Sequence, residues 1–120
     1  MMDLKSLIAL QRDFDKKHGW SFNSNKHSEL IDWLHKDLVG LFGELGEFAN
    51  LLKKITIIRD KPDLGKSQKL FEELKNNFSE ELTDSFIYLI RIATHLDVDL
   101  EEEYLKKLEF NRSKYQKYER

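Results

Sequence analysis

Apolar positions along this chain recur at helical spacing. Leu4, Leu7, Ile8 and Phe14, with Gln11 in the same series, predict an amphipathic helix over residues 3 to 18 that stops near Gly19. Residues 20 to 25 then read as a polar turn. Leu30, Leu34, Leu38, Leu41, Leu45, Phe48, Leu52 and Ile55 carry the period through a long second helix, from an N-cap at Ser28 to about Ile58. Residues 59 to 66 hold Pro62 and Gly65 among charges and predict a connecting loop. Residues 67 to 77 are charged with sparse apolar positions, and Ser79 is the expected cap of a far more hydrophobic helix over residues 80 to 95. Residues 96 to 99 break it. Asp99 caps a last helix with Glu101, Glu102 and Glu103 in its first turn and Lys and Arg at its end, the distribution the helix dipole favours. The expected fold is all-α: an antiparallel bundle of about four main helices, one domain over residues 1 to 120, with no sheet.

Composition narrows the partners more than the fold. A single proline in 120 residues leaves long stretches free for helix. The 20 Lys+Arg against 22 Asp+Glu give a net charge of -2, so no global basic field recruits nucleic acid or an anionic membrane. A polyanionic ligand needs a local positive site. The absence of cysteine excludes a disulfide framework, a thiolate zinc site and a cysteine nucleophile together. No apolar run approaches the roughly 20 residues needed to span a bilayer, and the N-terminal residues lack the pattern of a secretory signal. A cytoplasmic protein is expected.

The candidate chemistry lies in two acidic pairs. At about 100° per residue, Glu44 falls within the apolar arc of Leu30, Phe48, Leu51 and Ile55, and Glu47 lies at its margin beside Trp33. A lone Glu47 reads as a side chain at the core's edge with its head in water, but Glu44 resists that reading. On the 80 to 95 helix, Leu82, Phe86, Leu89, Ile90 and Ala93 cover one side. Glu81, Asp84, Tyr88, Arg91 and His95 gather on the other, which alone reads as an ordinary solvent face. Together, Glu44/Glu47 and Glu81/Asp84 each place two carboxylates three residues apart on one helix face, within reach of one cation. Four such acids repel unless a cation compensates them. All-oxygen ligation selects a hard ion, Mg²⁺ or Mn²⁺, which completes its shell with water and phosphate oxygens. A di-iron centre normally draws on Glu-x-x-His pairs, and none is present. Gly40, Gly43 and Gly46 recur every third residue and point to a close helix contact. Lys107, Asn111 and Lys114 share a face that suits phosphate, or simply a helix end decorated with cations, and Lys53 and Lys54 carry the same ambiguity.

Gly43-Glu44-Leu45-Gly46-Glu47, Glu81-Leu82-Thr83-Asp84 with Tyr88, and Lys107-Leu108-Glu109-Phe110-Asn111-Arg112 occur in that order. This ordered set resembles the MazG and dCTP pyrophosphatase-like superfamily over roughly residues 30 to 118. The resemblance implies Mg²⁺-dependent hydrolysis of nucleoside triphosphates to monophosphate and pyrophosphate, with Mn²⁺ able to substitute. It implies metal binding and catalysis by Glu44, Glu47, Glu81 and Asp84, phosphate contacts from Lys107 and Asn111, with Arg112 and Lys54 as further substrate candidates, and base contacts from Tyr88 and an aromatic such as Trp20. It also implies a homodimer or dimer of dimers that completes the bundle. Many relatives carry a further glutamate where Gly43 stands, and the connection from residue 48 to 80 is longer than in compact members, making the charged 60 to 77 segment a candidate lid or oligomer contact. The reading set against this enzyme is a non-catalytic helical oligomerisation module.

Overall fold

Helical periodicity without interrupting prolines resolves into five α-helices and a closing 3-10 turn. The computed structural model describes residues 1–21, 26–60 and 64–120, and among them there is no strand. The helices are α1 (Leu4–Lys17), α2 (His27–Arg59), α3 (Leu64–Glu73), α4 (Lys75–His95) and α5 (Leu100–Tyr115), followed by the 3-10 turn Gln116–Tyr118. Four expected helices are thus present, and a fifth, α3, occupies a charged stretch in which no helix is predicted. The expected loop over residues 59 to 66 is helical at Arg59 and again from residue 64; Pro62 and the part of the 20 to 25 turn beyond Ser21 lie outside the described residues.

Caps explain where the helices begin and end. Asp3 accepts from the Ser6 N–H at 2.8 Å to start α1, and Gly19 follows its end at φ 70, a left-handed conformation that only glycine adopts without strain. Asp99 accepts from the Glu102 N–H at 3.1 Å, as expected, and this bond holds its carboxyl below the usual range. Two expected caps are corrected. Helix α2 starts at His27 after Lys26, which makes no side-chain capping bond, so Ser28 lies inside it. Helix α4 starts at Lys75, and the Ser79 hydroxyl donates to the Lys75 carbonyl at 3.2 Å from within the helix.

The principal packing is between α2 and α4, which run antiparallel: Asp37 meets His95, Gly40 meets Tyr88, Glu44 meets Glu81, and Phe48 meets Phe78. Helix α3 closes the far end, where Phe78 lies 5.1 Å from Phe48 and 5.6 Å from Phe71 between ring centroids. Helix α1 lies along α4 and α5, held by a bidentate pair: Arg91 donates to both Asp15 oxygens at 3.0 Å.

This packing brings the acidic side of α4 toward α2, as the paired acids lead one to expect, and buries Ile90 and Ala93 of its apolar side as well. The face carrying Glu81, Tyr88 and His95 turns toward α2, while Leu82, Phe86 and Leu89 are exposed. On α2, Leu38, Phe42, Leu45 and Leu52 are likewise exposed, and among the described residues the buried apolar set is Leu41, Phe78, Ile90 and Ala93. The inter-helix seam is polar because buried Asp37, Ser85 and His95 satisfy one another or the backbone. The radius of gyration, 18.8 Å, exceeds the roughly 14 Å of a compact chain of this length.

Candidate metal centre

The acidic site is assembled by register. Glu44 projects from the inward face of α2 and meets α4 where Glu81 and Asp84 stand one turn apart. One carboxylate oxygen from each of the three lies within 4.8 Å of the others. Glu44 and Glu81 are half-buried, and Asp84 is exposed. Glu47 is exposed and stands outside this trio, yet it approaches Glu81 closely enough to share a proton with it.

Glu81 is the strained member. Its Oε2 is buried and has no hydrogen-bond partner. Its carboxyl is pushed up to about 8, first by hydrogen bonding of the protonated form to Glu44, then to Glu47, and further by burial and the two negative charges. A buried, unpartnered carboxylate oxygen facing other carboxylates fits a hard cation, and the donor set is oxygen throughout.

Beside the acids, Tyr88 lies one turn beyond Asp84. Its ring lies against Gly40, where an added Cβ would stand 2.3 Å from ring carbons. Gly43 and Gly46 would meet nothing within 4 Å, so the expected glycine contact reduces to one position. Tyr88 lines a cavity of about 350 Å³ with Trp20, Trp33, Lys36, Asp37 and Arg91. The Arg91 guanidinium stands 5.0 Å from the Tyr88 ring and 5.6 Å from that of Trp20. Two predicted base contacts, Trp20 and Tyr88, therefore share one cavity.

The predicted cationic residues are not gathered in the same way. Lys54 is exposed on α2, about 15 Å along the axis from Glu44. Lys107, Asn111 and Arg112 belong to α5, which packs on α1 and its own 3-10 turn. The Lys107 ammonium lies 5.0 Å from the Phe110 ring, and Arg112 bonds Glu109 at 3.2 Å.

Sequence reasoning did not select Asp37, Trp33 or Lys36. Their signal was present: Asp37, Gly40, Glu44 and Phe48 recur at helical spacing on one face of α2, with Trp33 one turn earlier. No local pattern marks the pairing of Asp15 with Arg91, which spans 76 residues.

Comparison with protein-family models, curated proteins and solved structures gives no match. The acids and the aromatic cavity beside them therefore carry the functional reading through their own geometry and the motif order. Among the described residues, no helix is long and apolar enough to cross a membrane.

Proposed function

We propose that this chain is a divalent-cation-dependent nucleoside triphosphate pyrophosphohydrolase of the MazG and dCTP pyrophosphatase-like type. The observation that carries this reading is the convergence of Glu44, Glu81 and Asp84, with the unpartnered Glu81 oxygen among them. The aromatic cavity supports it: Tyr88 stands about 6 Å along the helix from Asp84, a separation suited to a base and a phosphate chain on one molecule.

Glu44, Glu81 and Asp84 would hold Mg²⁺ or Mn²⁺, with Glu47 at the open edge. When bound, such an ion supplies Lewis acidity and positive charge for phosphate-anhydride cleavage. The chain's own residues do the rest. Trp20, Trp33 and Tyr88 offer aromatic faces to the base, and Arg91, fixed by Asp15, braces two of those rings. Glu47, exposed and next to Glu81, takes the proton from the attacking water at a carboxylate oxygen. The water oxygen bonds to the α-phosphorus, the α–β anhydride bond breaks, and pyrophosphate leaves with that electron pair.

The exposed stripes Leu38/Phe42/Leu45 and Leu82/Phe86/Leu89, with the extended radius, support a homodimer or dimer of dimers. The same stripes favour the second reading, a non-catalytic oligomerisation module. The two part company in one experiment: the purified protein is incubated with ribo- and deoxynucleoside triphosphates, with and without Mg²⁺, and pyrophosphate and orthophosphate are assayed separately. The enzyme releases pyrophosphate and monophosphate only with the ion. No product from any nucleotide, from a folded oligomer, leaves the interaction module standing.

A further inference from the structure

A second cavity, about 660 Å³, lies near the C-terminal end of α4 and has the opposite electrostatic character. Its wall includes Arg12, Asp13 and Lys16 of α1, Ser21, and Thr94 and His95 of α4. Arg12 and Lys16 stand one helical turn apart, a like-charge spacing that is unfavourable on an isolated helix. Neither has a carboxylate within ion-pair distance among the described residues, and the one acid in the wall, Asp13, is bonded to Lys17 at 3.0 Å. The wall therefore concentrates positive charge in a chain whose net charge is -2.

Thr94 adds an independent sign. A threonine or serine hydroxyl inside a helix ordinarily donates to the carbonyl one turn back. Thr83 and Ser85 of the same helix do so, to Ser79 and Glu81, both at 2.8 Å. The Thr94 Oγ1 is buried, yet it has no hydrogen-bond partner. A buried hydroxyl without a partner is destabilising unless something is donated to or accepted there. Thr94 lines the same cavity as Arg12 and Lys16.

We propose that this cavity binds a phosphate-bearing anion, at a site distinct from the carboxylate centre. Arg12 supplies a planar donor pair matched to phosphate oxygens, Lys16 a second positive charge, and the Thr94 and Ser21 hydroxyls neutral donors. The site does not depend on whether the acids hold a metal. It is separated from the aromatic cavity by the buried hydrogen bond of His95 to Asp37, since His95 lines one cavity and Asp37 the other.

The test uses the full chain, stripped of metal with chelator, titrated with inorganic pyrophosphate and followed by ¹H–¹⁵N NMR. Saturable shifts are expected at the amides of Arg12, Lys16, Ser21 and Thr94, weakening as salt is raised. The double variant Arg12→Ala/Lys16→Ala is expected to lose about tenfold or more in affinity. Thr94→Val, which keeps the shape and removes the hydroxyl, is expected to weaken binding while leaving the spectrum of the free protein folded. The absence of saturable shifts, equal affinity in the wild type and both variants, or shifts confined to Glu44, Glu81 and Asp84 would each overturn the proposal.

Discussion

Asp37 Oδ2 lies 2.5 Å from His95 Nδ1 across the α2–α4 seam, and the two residues are only 3% and 8% exposed. This pair fixes the register from which the rest of the site follows. Gly40, about one turn on along α2, then falls opposite Tyr88, about two turns back along α4, and Glu44 falls opposite Glu81 after the same steps again. Asp37→Ala leaves the His95 ring nitrogen without its buried acceptor, an expected loss of about 1–3 kcal/mol. Urea unfolding monitored by circular dichroism measures it; an unchanged midpoint would show that the seam does not need the pair.

Gly40 and Gly46 should respond oppositely to alanine. A Cβ at Gly40 would stand 2.3 Å from the Tyr88 ring, so the helices must separate or the ring must move. The expected destabilisation is about 1–3 kcal/mol, with a changed near-ultraviolet signal from displaced aromatics. Gly46→Ala meets nothing within 4 Å and should be neutral or stabilising by up to about 1 kcal/mol. Equal effects at the two positions would contradict the packing described.

Asp15 and Arg91 illustrate what local patterns cannot reveal. Their bidentate bond ties α1 to α4 and sets the Arg91 guanidinium against Trp20 and Tyr88. Asp15→Ala strands a largely buried guanidinium, with an expected loss of about 3 kcal/mol or more. Thermal unfolding checks it, and a melting temperature equal to the wild type would refute the role.

The all-helical character and most helix limits were legible in the sequence because the apolar period and the absence of interrupting prolines are local signals. Asp99 capped α5 as its position requires, since the Glu102 N–H is three residues away. Helix α3 was not legible: its few apolar residues, Phe71 among them, acquire meaning only once Phe78 and α2 are beside them. The orientation of α4 is legible only when the two acidic pairs are weighed together: its polar side alone reads as a solvent face, yet Glu81 and Asp84 turn toward Glu44, and Ile90 and Ala93 of the apolar side are buried as well. The α2–α4 seam combines the buried Asp37–His95 hydrogen bond with the Phe48–Phe78 contact, and Leu82, Phe86 and Leu89 stay outward. The acidic pairs could be chosen from spacing, whereas the protonation of Glu81 depends on Glu44 and Glu47 arriving from another helix.

Glu81 gives the protein a pH dependence of defined sign. Its carboxyl is raised in the folded chain from an ordinary 4.5 to about 8, so the fold prefers the protonated form. That contribution is complete below pH 4.5 and is lost as pH rises through about 8. Without divalent cation, stability should therefore decline across this interval, and Glu81→Gln should flatten the decline. Below pH 8, cation binding should displace a proton from the site. Calorimetric Mn²⁺ titrations in two buffers of different ionisation enthalpy measure the release; heats independent of buffer would show that no proton leaves.

The most direct test of the central claim follows a nucleoside triphosphate by ³¹P NMR in the presence of Mg²⁺, with the wild type and Glu81→Gln side by side. Monophosphate and pyrophosphate are expected from the wild type, with turnover reduced about 100-fold or more in a folded variant, the scale of losing one electrostatic stabiliser of the transition state. Full activity in Glu81→Gln, or orthophosphate as the first product, would contradict it.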